Sequence, residues 1–236
     1  MRKTALSLAI SAAPLPPAAR GALLRACRVP RSTVKPFLAA DPAGGLAALA
    51  LLLREGAAAL GLSEENALFA GGFDPADAEP ERLGAAFAEL QAASFLVRAG
   101  AEKLRLLPTG KAATADLCGS WRGTPCVFEV RSLHRKGGPL EYLFGRAGTA
   151  APAEAVAYLC RKVDKKLPQV RRSGKCAGGA SGVLVFSACL FREAPAGRLE
   201  ALAGAVHAAK GSPPDLSVAL LAGRGGACRP SPGARG

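Results

Sequence analysis

The sequence predicts an α/β or α+β chain: a sheet flanked by helices, set behind an all-helical N-terminal region. Three observations carry this. Residues 1–78 contain helix starts and stops and no strand pattern. Residues 80–99 place apolar side chains at positions 83, 86, 87, 90, 93 and 97, the spacing of one helix face. Beyond Gly100, short apolar runs bounded by Gly and Pro alternate with longer helical stretches, giving three strands, helix, strand, helix, strand.

The elements follow in order. The first residues combine two cations, about ten mostly apolar residues and then small ones, which imitates a signal peptide. The plainer reading is a short helix ending before Pro14. A second short helix follows Pro16-Pro17. Asp41 is suited to cap a helix with Pro42 at its first position, and Gly61 to end it. The longest uncharged apolar run, residues 43–53, is too short to span a bilayer. A break at Gly71-Gly72 and the acidic Pro-containing stretch after it mark a boundary. Residues 1–78 are therefore read as one helical region and 79–222 as the sheet domain. The Gly-, Pro- and Arg-rich tail, 223–236, is expected to be disordered.

Within the sheet domain, strands are expected at 101–107, 114–118 and 126–132, with a hairpin connection at 119–125. A cationic loop, 134–149, leads to a long helix from Pro152 to about residue 172. A buried strand follows at 182–187, then a helix at 200–210 and a last strand at 216–221. Trp121 reads as a hydrophobe covering the hairpin turn. His134 and His207 have no metal-ligand spacing.

The chain has 236 residues, 31 Lys and Arg against 18 Asp and Glu, and a formal charge of +13. That balance favours a polyanionic partner, nucleic acid before an anionic membrane surface. The seven cysteines form no CxxC pair and no readable disulfide or zinc framework. They fit small thiols in a reducing compartment, so a cytoplasmic location is expected.

The chemistry concentrates around Asp116, Glu129 and Arg131. A hairpin can set Asp116 beside Glu129 at one sheet end. Strand alternation sends Glu129 and Arg131 to one face, with Phe128 and Val130 pointing to the other. Two close carboxylates repel unless a cation joins them, and two carboxylates with waters and phosphate oxygens suit Mg²⁺. On the helix that follows, Lys162, Lys165 and Gln169 share a face, while Val156, Leu159, Val163, Leu167 and Val170 form the opposite stripe. The bland alternatives are two solvated strand-end acids and a solvated basic helix face.

In order and spacing, these motifs resemble the PD-(D/E)xK nuclease superfamily. FAELQAASFLVRAGAEKLRLLP (87–108) looks like its first helix and strand, with Glu89 as the helix acid. TADL (114–117) carries Asp116, and FEVRS (128–132) carries Glu129 with Arg131 where the family has Lys. KVDKKLPQV (162–170) looks like the second helix, and GVLVFSA (182–188) like the strand after it. The resemblance implies an α/β restriction-endonuclease-like mixed sheet and hydrolysis of phosphodiester bonds. It implies Mg²⁺, with Mn²⁺ as the alternative, held by Asp116 and Glu129. Glu89 and Arg131 join the catalytic group, and Arg135, Lys136, Lys162, Lys165, Lys166 and Gln169 hold nucleic acid, DNA first. Arg131 is the departure, because a guanidinium cannot act as a general base. A fold that binds nucleic acid without cutting it, and a scaffold for a protein partner, remain open beside the nuclease.

Overall fold

The computed structural model describes residues 4–29, 34–74, 80–107, 115–133, 139–145 and 152–230. It is an α/β arrangement with one six-stranded mixed sheet flanked by helices. Among the described residues before Pro80 the helices are α1 Ala5–Ala12, α2 Pro17–Ala26, α3 Lys35–Ala40, α4 Pro42–Leu60 and α5 Glu64–Ala67. Asp41 caps α4 by accepting the Gly44 N–H at 2.9 Å, and Gly61 ends it with φ +65°. α4 is long and apolar enough to cross a membrane by length and composition, and its Leu46, Leu49 and Leu53 are buried in the N-terminal core.

Helix α6 (Pro80–Arg98) leads into β1 (Ala101–Leu106), β2 (Leu117–Trp121) and β3 (Thr124–Ser132). Helices α7 (Pro139–Phe144) and α8 (Ala153–Cys176) follow, then β4 (Ser181–Cys189), α9 (Ala196–Ala209), β5 (Leu216–Ala222) and β6 (Gly225–Arg229). Strand order in space equals order in sequence. β1, β2 and β3 form an antiparallel meander, β3, β4 and β5 run parallel, and β6 returns antiparallel to β5.

Four sequence expectations need correction. The strand expected at 114–118 begins later, and the 119–125 connection shrinks to Arg122-Gly123. Both turn residues have positive φ, 51° and 76°, as a two-residue hairpin turn demands. The expected cationic loop contains α7. The long helix continues through Pro168 to Cys176, four residues beyond its expected end. The tail expected to be disordered from 223 supplies β6. Its glycines hide the strand from propensity reasoning, yet they are used: a Cβ on Gly226 would collide with Phe95 of α6 and Leu221. Lys136, Arg135 and His134 lie outside the described residues.

The sheet separates two apolar layers. Leu159, Val163 and Val170 of α8 and Leu202 and Val206 of α9 pack on one face with Val127, Leu184 and Phe186. Ala92, Ala93 and Leu96 of α6 pack on the other with Phe128, Val130, Val183 and Val185. A third core joins the N-terminal helices to Leu83, Phe87 and Leu90 of that same α6. A polar clamp reinforces this junction. Glu55 of α4 accepts from Ser94 Oγ and Arg98 Nη1, each at 2.7 Å, and from Arg224 Nη2 at 2.5 Å. Gln91 of α6 donates to the carbonyls of Cys189, at 2.9 Å, and Gly223, at 2.7 Å, and accepts from Ser187 Oγ at 2.6 Å. Trp121 is buried and donates its indole N–H to the Ala99 carbonyl at 2.9 Å, so it closes the hairpin onto the end of α6.

Candidate active site at the end of strand β3

The β2–β3 register ends with Leu117 paired to Phe128, and Asp116 stands one residue before that pair. Backbone bonds hold Asp116 at the end of the ladder: its N–H meets the Phe128 carbonyl at 3.0 Å, and its own carbonyl accepts the Leu107 N–H at 2.9 Å. The Asp116 carboxylate turns back and accepts the Val130 N–H at 2.6 Å through Oδ2. Glu129 lies on β3 between β2 and parallel β4, in register with Leu184. Glu129 lies in the carboxyl-terminal half of β3, three residues before the strand ends at Ser132.

Glu129 is fully buried, 0% exposed. That excludes the solvated strand-end acid as its description. Such a carboxylate needs partners, and it has three. Arg131 Nη2 and Lys166 Nζ both meet Oε1, the latter at 3.1 Å. Gln169 Nε2 donates to Oε2 at 2.8 Å, while its Oε1 accepts from Lys166 Nζ at 2.9 Å. The same-face placement of Glu129 and Arg131 is thus realised as an ion pair.

Helix α8 brings Lys166 and Gln169 inward because Leu159, Val163 and Val170 anchor it on the sheet. Gly182 permits close seating, since a Cβ there would overlap Val170. The expected grouping of Lys162, Lys165 and Gln169 divides: Lys165 is exposed, and Lys162 stands 5.5 Å from the Tyr158 ring centre. Lys166 replaces them beside Gln169. From the sequence, Lys166 is expected only among the cations that hold nucleic acid. Its spacing of three from Gln169 was the signal that could have assigned it to the carboxylate.

Glu89 comes from α6, on the other layer. The turn before that helix covers it: a Cβ on Gly71 would collide with its carboxylate. Burial first, then the Asp116 charge, pushes Glu89 up to about 8, with Glu129 adding in the same direction and Arg131 opposing. Asp116 is pushed up to about 6 by burial and then by Glu129, against the Val130 hydrogen bond and the Arg131 and Lys166 charges. The three acids therefore act on one another electrostatically. Among the described residues, no group of three or more His, Cys, Asp or Glu is gathered closely enough to hold a metal by itself. The seven cysteines are free thiols.

The arrangement offers three electrostatically coupled acids and two cations converging on one carboxylate oxygen of Glu129. It can bind a cation between the acids or an anion on the guanidinium and ammonium. No protein family model, no curated protein and no solved structure matches this chain.

Proposed function

We propose that the chain is a PD-(D/E)xK-type nuclease that hydrolyses phosphodiester bonds of nucleic acid with Mg²⁺, or Mn²⁺ in its place. One observation carries the reading. Glu129 is a fully buried acid, the Asp116 carboxylate holds the N–H of its neighbour Val130, and a lysine and a glutamine from a later helix converge on it. An acidic residue is rarely buried this completely without a partner or a task.

The residues fit the metal by donor chemistry. Burial and mutual repulsion hold Asp116 and Glu89 above their usual range, and a divalent cation relieves that repulsion. Mg²⁺ keeps several waters and asks for only one or two carboxylates, so Asp116 and Glu129 would suffice. Bound there, it would polarise the phosphodiester and make its water more acidic.

The chain's own groups divide the remaining work. Arg131 cannot take a proton from water, but it can meet negative charge on a phosphate. Lys166, beside the same carboxylate oxygen, can hold or pass a proton where the strand has none to offer. Gln169 fixes the orientation of Glu129. Lys162 and Lys165, exposed on α8, meet the nucleic-acid backbone, and Glu89 supports the metal through water.

A second reading has a specific observation behind it. Arg131 occupies the Glu129 oxygen that a metal would use, as in a site that binds nucleic acid and has lost its chemistry. One assay separates the two. Labelled single-stranded DNA, duplex DNA and RNA are incubated with Mg²⁺, Mn²⁺ or EDTA, beside Glu129→Gln. Metal-dependent cutting lost in the variant is expected. Salt-sensitive binding without cutting would establish the binding module instead. Cutting that persists in Glu129→Gln would sink the assignment of the site.

A further inference from the structure

Glu129 takes two cations and an amide on its two oxygens. One carboxylate oxygen receives both Arg131 Nη2 and Lys166 Nζ, while Gln169 serves the other. Lys166 and Gln169 already satisfy the acid. Arg131 is the more exposed of the two cations, its side chain 36% exposed against 28% for Lys166, so it has room to leave.

Arg131 is also incompletely used. Among the described residues, its Nε is the buried side-chain nitrogen or oxygen that finds no hydrogen-bond partner. An unpaired buried donor is costly, and it asks for an acceptor. Nε and Nη2 share the side edge of the guanidinium, the edge that pairs with two oxygens of a carboxylate or phosphate. Glu129 satisfies only half of that edge.

We infer that Arg131 is an oxyanion-responsive gate on Glu129: a tetrahedral oxyanion takes the Nε–Nη2 edge and draws the guanidinium off Oε1, which leaves that oxygen to Lys166 and a divalent cation. The inference rests on the proposed metal site and adds its regulation. With no anion present, the guanidinium competes with the metal. When the phosphate arrives, the two ligands assist each other. The coupling is reciprocal, because each ligand shifts the same two positions of one side chain.

The test measures Mn²⁺ affinity by the loss of its free-ion paramagnetic resonance signal, in sulfate and in chloride at matched ionic strength. Sulfate cannot be hydrolysed, so the readout is independent of cleavage. Wild type should bind Mn²⁺ about tenfold more tightly in sulfate, a typical coupling between sites. Arg131→Met should bind Mn²⁺ tightly in both salts. Arg131→Lys keeps a cation on Glu129 without the side edge, so it should bind weakly in both. Equal wild-type affinity in the two salts overturns the gate. A sulfate effect that survives in Arg131→Met also overturns it, since the anion would then be contacting the metal directly. Loss of Mn²⁺ binding in Glu129→Gln keeps the metal-site reading standing in either case. Absence of Mn²⁺ binding in every variant, Arg131→Met included, overturns both.

Discussion

Lys166 Nζ lies 3.1 Å from Glu129 Oε1, so the ammonium that strand β3 lacks at position 131 arrives from helix α8. The PD-(D/E)xK pattern behind the proposed function has a lysine two residues after the strand acid. Here that place holds arginine, and the lysine comes from across the layer. If Lys166 moves the proton, Lys166→Met should lower kcat by about 100-fold or more, in the range for a lost acid–base group. Lys162→Met and Lys165→Met should raise KM and flatten its salt dependence with kcat nearly unchanged. Steady-state cleavage at two salt concentrations checks this. A Lys166→Met enzyme with the wild-type kcat would remove the lysine from the chemistry.

Glu129 should matter for stability as well as activity. Removing it leaves Arg131, Lys166 and Gln169 facing a hole. The two cations are partly exposed and can relax into water, which limits the loss. Glu129→Ala should cost about 2 kcal/mol, the scale for a removed partner in a buried charged hydrogen bond. Glu129→Gln, which keeps the volume, should cost less. Urea denaturation of the two variants orders them, and an alanine variant as stable as wild type would show that the cluster carries no folding energy.

The acids make stability fall with rising pH. Glu89 is pushed up to about 8 from 4.5, so the native state keeps a proton that the unfolded chain has released between those values. The contribution is fully present below pH 4.5 and is lost as pH rises through about 8. Asp116 acts in the same direction between 3.8 and about 6. Urea midpoints from pH 5 to 9 should therefore decline, and in Glu89→Gln the decline above pH 6 should disappear. Parallel declines in both proteins would assign the slope to other groups.

Gln91 offers a test away from the site. Its amide joins the Cys189 and Gly223 carbonyls and the Ser187 hydroxyl across the ends of β4 and β5. Gln91→Leu fills the space but leaves buried polar groups without partners. It should destabilise by about 2 kcal/mol. A loss under about 0.5 kcal/mol would mean that water replaces the amide.

The order of helices and strands was legible because apolar spacing reports it directly. Helix α6, the Pro-capped α8 and the apolar runs of β4 and β5 all appear where their patterns fall, but Val97, which the α6 spacing puts on the apolar face, is exposed, while Ala88, Ala92 and Leu96 off that pattern are buried. β6 was not legible. Its Gly-Gly-Ala sequence has no strand propensity, and only the Phe95 ring packed over Gly226 explains the glycines. In the site, strand alternation was enough to set Glu129 beside Arg131. It could not reveal that Glu129 is fully buried, because burial depends on where α8 lies. Nor could it choose Lys166 over Lys162 and Lys165, since neighbouring helix positions differ only in which side faces the sheet.

Helix α6 serves two cores, and this makes residues 1–78 more than an appendage. Its Ala92, Ala93 and Leu96 belong to the sheet, while Leu83, Phe87 and Leu90 belong to the helices before it. A chain begun at residue 79 would present those three side chains to water, at about 1.5–3 kcal/mol each. It would also uncover Glu89, whose roof is the turn at Gly71. The same N-terminal region therefore sets the acid's appetite for a proton from outside the sheet, and any loosening of that roof would be read by the site as a change in pH.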